Sequence, residues 1–317
     1  MRIGIGLPAA VPGTPAAATG RWAAAAEERG FCSVGVIDRL VYDNLDPLVA
    51  LAAAAVCTGR VELLTTVLNI GYRRDAVVLA KQIASVELLS EGRLTVGLAL
   101  GGWPEDYAAG EVSLRGRGAV MDATLTTMRR VWAGEYAGAS GPMPALPAGR
   151  PGLLLGGLVP AAHKRVATRA QGWVAPSFGL TTLTEGAAAV RREWRNLSRD
   201  GEPRVVVERY FCLGEHAERN ADRYLAHYYG SEYFPSVRAD TLTGGKQVQD
   251  ELGRLSAAGC DDVILFPCTG DLGQLTALAD VLDEIGATHP DGYTFPSPAS
   301  ARPCDVGPEH PPTGERG

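Results

Sequence analysis

Apolar positions along the chain gather into short, near-continuous runs separated by longer stretches of helical periodicity. The runs Arg2–Leu7, Ser33–Ile37, Glu62–Val67, Leu94–Ala99, Leu153–Gly156, Trp173–Ala175, Arg204–Leu213 and Asp262–Phe266 predict eight strands. Several are apolar on both faces, as parallel strands roofed by helices require. Between them lie helix signals. Thr19 is placed to cap a helix running to Arg29, and Gly30 stops it. Asp46 and Pro47 supply the cap and first helical position of the next, which ends near Thr58-Gly59. Asp75 opens a third through Leu89, closed by Ser90-Glu91-Gly92. Helical spacing recurs over Val120–Ala133, Pro160–Gln171, Leu183–Ser198, Glu215–Tyr229, Gly245–Ala258 and Leu272–Ile285.

Eight strand–helix alternations predict an α/β chain closed into a (β/α)8 TIM barrel; a doubly wound open sheet is the alternative. Residues 1–289 form the barrel in this reading. Gly134 to Gly152, rich in Gly, Pro and Ala, is expected to be an irregular excursion before the fifth strand. The Pro-rich segment 290–317 is expected to be a disordered tail.

Composition narrows the class. Of 317 residues, 46% are hydrophobic and 21% charged, which suits an enzyme with a large core. A net charge of −6, without a basic stripe, argues against nucleic-acid partners. Six scattered cysteines without a CxxC pair read as reduced thiols of a cytoplasmic protein. Gly4, Gly6, Pro8, Pro12 and Pro15 break the apolar start, so it reads as a strand instead of a secretory leader. No apolar run reaches the roughly 20 residues that span a bilayer. The five histidines (His163, His216, His227, His289, His310) show no HxH or HExxH spacing, and no metal is expected.

Barrels place their chemistry at the C-terminal ends of the strands. Gly156-Gly157, continuing through Leu158 and Val159 into Pro160, offers backbone amides and a helix start to an anion; the plain alternative is a tight turn. Lys164 follows within the first turns. Gly101 and Gly102 would admit a ring close to the backbone, and Trp103 is either a pocket wall or a packing aromatic. Asp38 is a base if desolvated, or the partner of Arg39 in an ion pair. Pro8, Tyr42 and Tyr72 are further pocket candidates on adjacent loops, and Arg93 is expected to bond carbonyls at the opposite face.

The segments AAAAVCTGRVELLTTVLN, RRDAVVLAKQIASVELLSEGRLTVGLALGGWPEDY and RGRGAVMDATLTTMRRVWAGE, with RPGLLLGG and AAGCDDVILFP later, resemble the luciferase-like monooxygenase superfamily. The resemblance covers nearly all of residues 1 to 285. It implies a bacterial luciferase-like barrel that uses reduced FMN and oxygen on a small organic substrate, with a separate flavin reductase as a candidate partner. A deazaflavin-dependent hydride-transfer enzyme is the alternative, and a non-catalytic flavin-binding barrel the second alternative. Thr66, Val67, Leu68 and Asn69 would back the ring through a bulge or a non-proline cis peptide, and Gly156–Val159 would lie at its phosphate. Relatives carry a histidine after the second strand where this chain has Arg39, so Asp38 and Arg39 are the catalytic candidates that remain. The resemblance also implies a homodimer through Ala50–Ala55 and Val77–Leu89.

Overall fold

A computed structural model describes residues 1–143, 146, 151–287 and 292–295. Eight parallel strands close into one barrel. In chain order they are β1 (Arg2–Gly6), β2 (Ser33–Val36), β3 (Glu62–Asn69), β4 (Leu94–Ala99), β7 (Gly152–Gly156), β8 (Gly172–Ala175), β9 (Arg204–Phe211) and β10 (Asp262–Pro267), with a small hairpin, β5 (Ala137–Gly138) and β6 (Gly141–Pro142), between the fourth and fifth. β1 pairs with both β2 and β10, which completes the ring. The closed barrel is the fold expected from the alternation, and all eight strands fall where the apolar runs lie.

Strand side chains alternate between two cores. Val34, Leu63, Val96, Leu155, Val205, Val207 and Leu265 point outward under the helices. Leu64, Leu154, Val174, Val206, Tyr210, Ile264 and Phe266 fill the barrel itself. Glycines on β1 make room for the large members of the inner set. A Cβ on Gly6 would lie 2.1 Å from the Phe266 ring.

The helices are α1 (Ala18–Glu28), α2 (Pro47–Cys57), α3 (Ala76–Leu89), α4 (Pro104–Ala109), α5 (Arg117–Trp132), α6 (Pro160–Arg169), α7 (Gly179–Asn196), α8 (Ala217–Ala239), α9 (Gly245–Ala257) and α10 (Gly273–Glu284). Asp46 accepts from the amides of Leu48 and Val49, and Asp75 from those of Val77 and Val78, so both caps form as their sequences require. Thr19 does not cap α1. It lies inside the helix and donates to the Ala16 carbonyl, because the helix begins two residues earlier, with Ala17 in the cap position. The short α4 was not expected, and α8 outruns its expected end at Tyr229. Gly230, with φ 65° and ψ −178°, breaks the helix there, and a second arm continues to Ala239.

The stretch Gly134–Gly152 holds the β5–β6 hairpin where an irregular excursion was expected; residues 144, 145 and 147–150 lie outside the described ones. Most of the expected tail also lies outside them. However, Tyr293 is buried, Thr294 bridges Arg2, and Phe295 exchanges backbone bonds with Met1. The barrel's packing therefore takes in residues assigned to the tail from sequence.

The N-terminal end of the barrel is closed by charge. Arg204 reaches Glu62 and Asp262 at 2.7 Å each, and Arg2 reaches the same two carboxylates at 2.8 and 2.6 Å. Arg93 donates to the carbonyls of Ala55, Thr58, Val61 and Ser90, the structural role its sequence context predicts. With this end sealed by ion pairs, the opposite end is left for chemistry.

Candidate functional site

A cavity of about 630 Å³ opens at the C-terminal ends of the strands, a size typical of small-molecule sites. One wall is β3. The Thr66–Val67 peptide is cis, and the β3–β4 register slips between Thr66 and Leu68 at the same point. Thr66, Val67 and Asn69 line the cavity, while Leu68 turns outward into the helix-side core.

The loop after β4 forms the next wall, with Gly101, Gly102 and Trp103 all lining. Gly101 adopts φ 73°, and a Cβ there would press on the Asn69 side chain at 3.1 Å. At Gly102 a Cβ would meet nothing within 4 Å, so its backbone faces open space.

Across the cavity stand Gly156, Gly157, Leu158 and Val159, then the start of α6. Gly157 holds φ 124°, a conformation that admits glycine almost alone. Pro160 begins α6 with Val159 as an N-cap that offers no side-chain bond, and the Val159 carbonyl accepts from the Ala162 and His163 amides at 2.8 and 3.2 Å. Two guanidiniums that sequence pattern did not single out join this end. Arg117, at the start of α5, donates to the Gly101 carbonyl at 2.8 Å. Arg165, on α6, pairs with Asp122 at 2.7 Å. Both line the cavity, and Lys164 does not. Glycine backbone, the start of α6 and two arginines thus line one part of the cavity.

The third side is aromatic. Trp103 packs against Tyr228, Tyr229 and Tyr233, with centroids 6.4, 6.2 and 5.5 Å away. Phe178 stacks on Tyr233 at 6.1 Å. These tyrosines straddle the Gly230 break of α8, whose far arm sequence periodicity missed.

Asp38 and Arg39 do not form the expected ion pair. Asp38 accepts from the Asn69 amide at 2.8 Å, the Tyr72 hydroxyl at 3.0 Å and the Arg73 guanidinium at 3.2 Å. Arg39 leaves the chain in the other direction. It pairs with Glu105 at 2.6 Å and Asp106 at 3.4 Å, and lies 3.8 Å from the Trp103 ring centroid. Neighbouring residues at a strand end project to opposite sides, which separates the two charges. Burial pushes the Asp38 carboxyl above its ordinary range against the pull of Arg73 and the Asn69 amide. Asp38 borders the cavity, whereas Arg39 is outside its lining, behind Trp103.

The pocket candidates Pro8, Tyr42 and Tyr72 are also absent from the lining. Pro8 is buried in a short 3-10 turn, Tyr42 bonds His227 at 2.7 Å, and Tyr72 is spent on Asp38. His163 is buried against Trp173, and burial lowers its basicity. Among the described residues no group of three or more His, Cys, Asp or Glu is arranged to hold a metal.

One lining residue stands out against its surroundings. On β9, Val206 and Tyr210 point into the barrel, and Glu208 between them lines the cavity. Its neighbour Arg209 points outward and pairs with Glu251 on α9 at 2.8 Å. Burial pushes the Glu208 carboxyl up to about 8, although the Thr66 hydroxyl and Arg209 favour its ionised form.

The family model of the luciferase-like monooxygenases matches residues 1–266. The chain belongs to the luciferase-like monooxygenase family. Among curated proteins, it is 30% identical over 175 residues to an uncharacterized protein of Mycobacterium tuberculosis, a match covering 52% of the chain and 61% of that relative. The chain thus spans about six-tenths of the length of such relatives. Two solved structures share its fold. Monooxygenase RslO1 from Streptomyces bottropensis superposes with TM-score 0.71 at 21% identity, covering 90% of this chain and 98% of the other. An F420-dependent secondary alcohol dehydrogenase, solved with an F420-acetone adduct, superposes with TM-score 0.73 at 15% identity and the same coverage.

The cavity of this family member fits a flavin-type coenzyme on its own observations. Gly102 leaves backbone open to a ring, the Thr66 hydroxyl and one Glu208 oxygen are buried without a hydrogen bond, and the α6 end gathers Gly156, Gly157 and the Arg165 side chain in the lining.

Proposed function

We propose that this chain is an oxidoreductase acting on a small organic molecule with reduced FMN, and that the reaction is a monooxygenation. The observation that carries the reading is the pairing, within one cavity, of the Thr66–Val67 wall with the glycine–arginine anion end. When bound, such a coenzyme supplies two-electron chemistry, to oxygen in a flavin enzyme or as hydride in a deazaflavin one.

The protein's share is placement, dryness and charge. Thr66, Val67 and Asn69 support the ring, and Gly101 and Gly102 admit it. Arg117, Arg165 and the amides from Gly157 onward neutralise the phosphate. Trp103, Phe178 and the three tyrosines keep water from the reacting face. Arg39 acts through Trp103, whose indole it holds by stacking, so it is a positioning residue and not an acid or base.

A deazaflavin coenzyme is the second reading, favoured by the similarity to a barrel solved with an F420 adduct. A barrel that binds flavin without turnover is the third. Titration of purified protein with FMN and with F420, followed by fluorescence quenching, separates the first two. Micromolar binding of neither removes all three. Oxygen uptake above the uncoupled background, with a separate NADH-dependent flavin reductase as partner and candidate substrates added, distinguishes turnover from mere binding.

The same proposal includes a homodimer. Val49 and Val56 on α2 are 61% and 67% exposed, and Val78 and Leu89 on α3 are 51% and 47% exposed, an apolar surface of the kind that marks an interface. Light scattering should give twice the chain mass, and Val78→Glu should give the monomer. A wild-type monomer at micromolar concentration would overturn it. The described cysteines form no disulfide, and no described helix is long and apolar enough to cross a membrane.

A further inference from the structure

Glu208 occupies a position that barrel packing reserves for an apolar side chain. The inner residues of β9 run Val206, Glu208, Tyr210, and β10 sets Ile264 beside Glu208 in register. A bare carboxylate here forfeits its hydration without a partner to replace it. Its Oε2 is buried and makes no hydrogen bond, although the residue lines the cavity.

The neighbours do not account for it. Arg209 is turned to the outer face and committed to Glu251. Ser177 donates to the Glu208 backbone carbonyl at 2.6 Å and leaves the carboxyl alone. β3 stands four strands away around the ring of eight, on the opposite side of the barrel. It presents Thr66, whose hydroxyl is near enough to favour the ionised carboxyl but meets no acceptor at hydrogen-bonding geometry. A polar group from each side of the barrel thus meets at the cavity floor with hydrogen-bonding capacity to spare.

We propose that Glu208 is a ligand-binding residue: as a neutral carboxylic acid it donates a hydrogen bond to an acceptor atom of an uncharged ring seated on the cavity floor. The acceptor is a carbonyl oxygen or ring nitrogen. It comes either from the coenzyme's own ring, in which case the inference rests on the redox reading, or from the substrate, in which case it stands alone.

Burial keeps the acid form dominant up to about pH 8. The titratable groups that face it are few. Tyr224, Tyr228 and Tyr229 on α8 and Tyr210 on β9 are all raised by burial, so their phenols stay neutral where Glu208 ionises. Asp38, bordering the cavity from the end of β2, is held by three donors. Arg209 carries a fixed charge. Hence a break in binding near pH 8 belongs to Glu208.

The test measures dissociation constants from pH 6 to 9.5 for two probes, FMN and acetophenone, on wild type and Glu208→Gln. Glutamine keeps a donor but cannot titrate. For at least one probe, wild-type affinity should fall by up to tenfold per pH unit above about pH 8, while the variant stays flat. The probe that shows the break identifies the source of the acceptor. Flat wild-type profiles for both probes, or parallel falls in the variant, overturn the proposal. Infrared difference spectra on wild type alone guard against a variant that fails to fold. A protonated carboxyl band that moves on adding either probe supports the proposal, and its absence overturns it. FMN binding with a flat profile for both probes sinks this inference and spares the redox reading. If no coenzyme binds, the redox reading falls, and the acetophenone titration still decides this one.

Discussion

At the residue scale, the site is organised by where each charge finds its partner. Asp38 holds β2 to β3: its carboxylate takes the Asn69 amide, and its carbonyl takes the Asn69 side chain at 2.8 Å. Asp38→Ala would strand the Tyr72 hydroxyl and the Asn69 amide in a buried place, whereas Arg73 keeps Asp46 at 3.1 Å. The expected loss is about 3 kcal/mol in urea denaturation. A loss under about 1 kcal/mol would mean that water replaces the carboxylate. From sequence, Asp38 and Arg39 looked like partners because they are adjacent, but adjacency at a strand end sends side chains apart. Glu208 left a trace that went unread, a lone carboxylate within RVVVERYF at an inward-facing position. Arg117 and Arg165 left none, since an arginine on a helix is ordinarily a solvated residue and only the fold brings these two into one cavity with Gly157.

At the element scale, the strands were legible because parallel barrel strands are apolar on both faces, and Asp46 and Asp75 announced their helices. What escaped was local geometry: the earlier start of α1, the α4 turn after Trp103, and the continuation of α8 beyond Gly230. The two glycine loops make a paired prediction. Gly157→Ala places a methyl 2.7 Å from the Ala162 Cβ at a left-handed φ, which should cost roughly 1–3 kcal/mol of stability and shift the α6 start. Gly102→Ala meets nothing in the protein and should leave stability within about 0.5 kcal/mol. Yet both should weaken FMN by about tenfold, the worth of one lost hydrogen bond or close contact. Unchanged FMN affinity in Gly102→Ala would show that the ring lies elsewhere.

For the whole molecule, the two ends of the barrel titrate in opposite senses. At the sealed end, Glu62 is half-buried, and desolvation alone would raise it, but Arg204 and Arg2 prevail and bring it down to about 2. A carboxyl depressed in the folded state binds fewer protons there than when unfolded. Its stabilisation is therefore present above about pH 4.5 and is lost as the pH falls towards 2. At the open end, Glu208 is raised to about 8. Folded protein then holds a proton that the unfolded chain has released, so stability declines as the pH rises from about 4.5 through 8 and levels off above it. From these two groups alone, the thermal midpoint should be highest near about pH 5 and slope down on both sides. Glu208→Gln should flatten the alkaline limb and leave the acid limb in place. Glu62→Gln removes the charge that Arg204 and Arg2 share with Asp262, so above about pH 4.5 it should lower stability by about 3–5 kcal/mol as for a broken buried pair, and the two curves should converge as the pH falls towards 2, which flattens the acid limb. Midpoints read by calorimetry at half-unit steps decide it. An alkaline limb of equal slope in wild type and Glu208→Gln would mean that Glu208 is ionised in the folded barrel, and that the cavity floor carries a charge instead of a donor.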